Sequence, residues 1–232
     1  MTLENFIFGI YPYVAMTVFL LGSWLRFDRE QYTWKADSSQ LLSNASMRIG
    51  SNLFHVGIIA IFFGHAAGLL IPHSWFLAMG VSDLDHQWIA IVAGSVFGSL
   101  CLIGGAILWL RRMFNERVRA VSRGGDIFIL SWLMVTLILG LSSIPVSIGH
   151  ANHGNPGVMI NLAYYVQSVV TFQANPALLA GVDTLFKVHL FFGMSVFFLF
   201  PFTRLVHIWS VPIGYLTRSW QVVRVKRIAA RR

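Results

Sequence analysis

A chain of 232 residues with 56% hydrophobic and only 11% charged residues, and a mean hydropathy of +0.67, is too apolar for a soluble domain and has the composition of a polytopic membrane protein. The net charge of +8 does not mark a nucleic-acid binder, because the basic residues cluster beside apolar runs rather than on a soluble face. The single cysteine, Cys101, excludes an intramolecular disulfide and any all-thiolate iron-sulphur or zinc site, which leaves eight histidines as the plentiful metal ligands.

Five apolar runs are long enough to cross a bilayer core of about 30 Å as helices. The first covers residues 6–25, has Pro12 in its first turns, where a proline disturbs a helix least, and follows no basic segment of the kind that opens a cleavable signal. A polar stretch, residues 26–48 with Arg26, Arg29, Lys35 and Arg48, leads to the second run, residues 49–71, which Pro72 ends. The connection to about residue 87 has no lysine or arginine. The third run, residues 88–110, meets Arg111, Arg112, Arg117, Arg119 and Arg123, and the fourth covers residues 127–148. Residues 149–184 again lack basic side chains, and the fifth run, residues 185–209, leads into a basic tail from about residue 211. Lysine and arginine thus alternate from side to side. The positive-inside rule puts the N-terminus outside and the first connection, the third connection and the C-terminus in the cytoplasm.

Residues 156–172 are apolar but short, and they contain Asn161 and Gln167. A sixth span there would carry the basic tail outside, so the segment reads as an interfacial or partly buried helix. The fold class is therefore all-α, a single membrane domain over residues 1–232 with five transmembrane helices.

Four histidines interrupt the spans, and a titratable ring in hydrocarbon is costly unless it has a partner. His55 and His65 share the second span, about 15 Å apart along a straight helix and about 80° apart around it. His189 and His207 share the last run and, on a continuous helix, project from one face about 27 Å apart. Because the two spans run in opposite directions, His65 and His189 fall together toward the outer side, and His55 and His207 toward the cytoplasm. Two imidazoles fill both axial positions of a haem iron, which favours electron transfer over oxygen chemistry. The pattern predicts two bis-histidine b-type haems. The two straight-helix spacings do not match one iron-to-iron distance; helix tilt, a kink at Pro201 and ligation from different angles each absorb part of the difference.

Gly57, Gly64 and Gly68 form a stripe on the second span where a flat macrocycle or a neighbouring backbone can approach. Lys187 and Arg204, close to the ligand histidines, are candidate partners for haem propionates. His73, His86, His150 and His153 lie in outer connections and read as solvated rings rather than haem ligands. A reading from a different class, a haem-free transporter or scaffold whose histidines relay protons, predicts a colourless protein.

IYPYVAMTVFLLGSWLRFDREQYTWKADSSQLL (residues 10–42), SNLFHVGIIAIFFGH (residues 51–65), CLIGG (residues 101–105), QSVVTF (residues 167–172) and LFPFTRLVHIWSVPIGYLTR (residues 199–218) closely resemble the gamma subunit of respiratory nitrate reductase, its membrane cytochrome b. The resemblance runs nearly end to end. It implies a multi-pass subunit of the bacterial cytoplasmic (inner) membrane that oxidises menaquinol or ubiquinol near the outer haem and releases protons outside. Electrons would pass through the inner haem to an iron-sulphur subunit and then to a molybdenum catalytic subunit that holds the nitrate site. The family's quinol site uses a lysine in the connection between the second and third spans. Here, allowing one inserted residue, His86 stands at that position beside Asp85, with Gly64 as a backbone neighbour of the site. A cytochrome b of another quinone-linked reductase shares the haem arrangement, and the motifs outside the histidines argue against it.

Overall fold

The computed structural model describes residues 2–30, 34 and 45–210, and the basic tail from about residue 211 lies outside the described residues. Five helices are long and apolar enough to cross a membrane: Leu3–Arg29, Ala45–Leu70, Asp83–Phe114, Gly124–Asn152 and Thr184–Phe202. The fold is all-α, with no strand among the described residues.

Most of the helices overrun their apolar stretches, because caps satisfy the terminal backbone groups beyond the hydrocarbon. At the start of the third span, Ser82 Oγ accepts from the Asp85 N–H (3.2 Å) while Asp85 Oδ2 accepts from the Ser82 N–H (3.2 Å), a reciprocal capping box. This cap starts the helix at Asp83. His86 consequently sits in the first turn of the third span, not in a connection as the sequence suggested. The fourth span likewise continues to Asn152 and carries His150 in its last turn.

The second span packs most extensively on the third, the third on the fourth, the fourth on the fifth, and the first lies along the fifth. Between apolar helices in lipid there is little hydrophobic drive, so close approach of small residues carries the association. A Cβ on Gly57 would stand 2.6 Å from Cys101 N and 2.7 Å from Phe97 O, and one on Gly104 would collide with the backbone N of Phe54. The glycine stripe of the second span therefore divides its roles. Gly57 admits a neighbouring backbone, Gly68 faces His86, and Gly64 has nothing within 4 Å.

Gly157–Val170 is a helix of 14 residues, too short to span, as its sequence suggested. It ties the outer elements together. Tyr165, 1% exposed, donates its hydroxyl to Phe8 O (2.8 Å), and burial pushes the phenol's pKa up. Gln167 Nε2 donates to Leu69 O (3.1 Å) and Ile71 O (3.2 Å), satisfying carbonyls that the end of the second span leaves without helical partners.

The last run is not one helix. The regular helix stops at Leu199, a single turn follows at Phe200–Phe202, Thr203 is extended (φ −123°, ψ 178°), and a separate stretch of tighter helix, Arg204–Ser210, carries His207. Arg26 of the first span donates through one guanidinium nitrogen to Pro201 O (2.6 Å) and Thr203 O (2.8 Å), and Gly22 leaves room for the Pro201 ring. The straight-helix distance of about 27 Å between His189 and His207 does not apply to this broken segment.

Candidate functional site

Each of the four span histidines is oriented by a backbone carbonyl. His55 Nδ1 lies 2.7 Å from Ser51 O, His65 Nδ1 2.9 Å from Ile61 O, His189 Nδ1 3.0 Å from Thr136 O, and His207 Nδ1 2.6 Å from Arg204 O. A carbonyl oxygen only accepts, so Nδ1 carries the hydrogen in every case and the Nε2 lone pair is left for a metal. His153 makes the same bond to Gly149 O (2.7 Å), so the tautomer alone does not single out the four. Their pairing does.

His65 and His189 come together from the second and fifth spans with ring centroids 6.1 Å apart and planes inclined by 50°. Two imidazoles ligating one metal atom from opposite sides need centroids about 6 Å apart, given a metal–nitrogen bond of about 2 Å. The separation of the pair matches that distance. On the fourth span, Gly140 makes the room: a Cβ there would stand 2.8 Å from His189 Cε1.

His55 and His207 line one cavity of about 230 Å³. Arg111, Arg112, Arg204 and Asp126 share the same wall. Asp126 is 7% exposed, with Arg112 at 3.7 Å and Arg204 Nε at 4.0 Å from its two oxygens. Arg204 thus lies beside the histidines as the sequence suggested. Asp126 and Arg112 were not nominated from sequence. Arg112 read as an orienting charge, and a lone Asp at the start of an apolar run gives no pairing signal.

Lys187 lies two residues before His189 on the fifth span, about half a turn around the helix, and it donates to Glu4 Oε1 (2.6 Å) of the first span. That partner was not foreseen. His86 lines a shallow groove with Gly68, His73, Phe76, Ile160 and Tyr164, between the second span and the short outer helices. Phe76 stacks on His86 with centroids 4.1 Å apart, so the enclosed part of the groove is about 10 Å³, room for about one water. His73 Nε2 is 3.2 Å from Asp83 Oδ1, and His150 Nε2 is 3.4 Å from Asp183 Oδ2, so neither ring is simply solvated. Among the described residues no group of three or more His, Cys, Asp or Glu side chains gathers as a metal site, a number that an axial pair on a porphyrin does not need.

A family profile for the nitrate reductase gamma subunit matches residues 4–226. The chain is 50% identical to the respiratory nitrate reductase 1 gamma chain of Escherichia coli (strain K12) over 225 residues, 97% of this chain and 98% of that one. It is also 50% identical to the respiratory nitrate reductase 2 gamma chain of the same organism over 229 residues, again covering 97% and 98%. The nitrate reductase gamma chain of Bacillus subtilis (strain 168) is 35% identical over 218 residues, covering 94% and 96%. With five apolar helices and near full-length similarity on every side, the chain is a multi-pass protein of the bacterial inner membrane and belongs to the nitrate reductase gamma subunit family.

Proposed function

We propose that this protein is the electron-entry subunit of a respiratory nitrate reductase: it oxidises menaquinol or ubiquinol and delivers the electrons through two b-type haems to an iron-sulphur subunit and a molybdenum catalytic subunit. The single observation that carries the reading is the His65–His189 pair, 6.1 Å between centroids with both Nε2 lone pairs free, in a chain of this family. His65 and His189 hold the haem nearer the outer side, and His55 and His207 the haem nearer the cytoplasm. Haem supplies reversible one-electron chemistry when bound.

The protein's own residues do the rest. Arg204 offers its guanidinium to propionate carboxylates in the His55–His207 cavity. Lys187 does the same beside His189 with the ammonium donors that Glu4 leaves over. The quinol head group takes the face of His86 when Phe76 swings away, with the open backbone at Gly64 as its neighbour, and His86 accepts a hydroxyl proton. Protons leave on the side that carries Asp83, Asp85 and Asp183, where the sequence has few basic residues. The arginine-rich connection after the third span faces the cytoplasm and is available to dock the iron-sulphur subunit.

The test is a reduced-minus-oxidised spectrum of the purified complex with haem quantified per chain. Two low-spin b haems are expected, one lost on replacing His65 or His189 and the other on replacing His55 or His207. A well-folded preparation without haem would overturn the reading and turn the histidines into a proton path.

A further inference from the structure

Among the described residues, the His55–His207 cavity is lined by three guanidiniums, Arg111, Arg112 and Arg204, and one carboxylate, Asp126. A porphyrin with two propionates brings −2.

We propose that Asp126 is a positioning residue that holds Arg112 and Arg204 on the wall that faces the carboxylates of the inner haem, and that its charge keeps that haem's potential low. The inference rests on the cytochrome reading given above and adds to it a residue and a role. The geometry supports it from two sides. Asp126 reaches Arg112 from the third span (3.7 Å) and Arg204 from the segment after the fifth (4.0 Å), so one carboxylate gathers two cations from two different elements onto the wall next to His207. The same Arg112 nitrogen that faces Asp126 also donates to the Ser122 hydroxyl at 3.1 Å. Arg204 is fixed to the ligand itself, since its backbone carbonyl accepts from His207 Nδ1 at 2.6 Å.

Stability does not account for the arrangement. Both contacts are too long for strong hydrogen bonds, and a buried ion pair of this kind repays little more than its own desolvation. The helix cap that Asp126 also makes, accepting from the Arg123 N–H at 3.4 Å, needs an acceptor oxygen and no charge. The charge is the part left unexplained by local structure. Its effect on the haem follows from Coulomb's law, because reduction adds an electron that a nearby carboxylate disfavours.

The experiment is redox titration of both haems in the assembled complex, followed optically. Asp126→Asn keeps the cap acceptor and removes the charge. It is expected to raise the inner haem's midpoint potential and leave the outer haem's unchanged, while Asp126→Glu stays at the parent value. Arg204→Gln, which removes one of the gathered cations, is expected to lower the inner potential, and it serves as the reading should Asp126→Asn fail to assemble. An inner potential that stays at the parent value in Asp126→Asn with both haems bound overturns the role of Asp126 alone. A parent complex that holds no haem at His55 and His207 overturns the cytochrome reading, and the inference with it.

Discussion

Gly140 on the fourth span lies so close to His189 on the fifth that a Cβ would stand 2.8 Å from Cε1 and 3.3 Å from Nε2 of the ring. The fourth span thus supplies both a carbonyl that orients the imidazole, at Thr136, and the gap one turn later in which the ring rests. Gly140→Ala must push the ring off that carbonyl. The expected outcome is loss of most of the outer haem with the inner haem retained, read as a fall in haem per chain toward half.

Gly104 tests the packing between the second and third spans. Its added methyl would meet backbone of Phe54 and Gly50, which cannot swing aside as a side-chain end can. Gly104→Ala is expected to cost about 1–3 kcal/mol and to lower the unfolding midpoint in detergent. Gly64→Ala, with nothing within 4 Å, is the matched control and should leave that midpoint at the parent value.

Arg26 holds the break at Pro201 open by donating to Pro201 O and Thr203 O. Replacing it with glutamine strands one or both carbonyls at about 1–3 kcal/mol. Because His207 follows the break, Arg26→Gln is expected to weaken the inner haem selectively. Haem content and the inner haem's spectrum, compared with the outer one, check this.

His86 carries the quinol reading. Histidine to alanine there should lower quinol-dependent turnover by about 100-fold, as loss of a general base does, with both haems still bound. Phe76→Ala removes the ring stacked over His86 and should leave haem content unchanged while improving access for a quinol analogue. Parent-level turnover in His86→Ala would sink the assignment.

The spans and their number were legible in the sequence because insertion into hydrocarbon is a nearly additive, local property of a run of apolar residues. The pairing of histidines was legible for a related reason. Antiparallel spans of known length fix which positions share a depth, and His65 does meet His189 while His55 and His207 line one cavity. The short helix Gly157–Val170 also followed from its length, whereas the cap of Ser82 with Asp85, which moves His86 into the third span's first turn, was not read from the sequence.

What only the tertiary structure decided lies where one element answers another. Pro201 signals a possible kink, but the break at Thr203 exists because Arg26, a residue with the look of an orienting charge, reaches its carbonyls from the first span. Asp126 and Arg112 are far apart in sequence from Arg204, and no periodicity could have gathered them around His207. Hydropathy and spacing are sums over neighbours along the chain and so were determined by the sequence directly. The charge of a cavity and the satisfaction of a freed carbonyl depend on groups brought from separate helices, and these the packing alone settled.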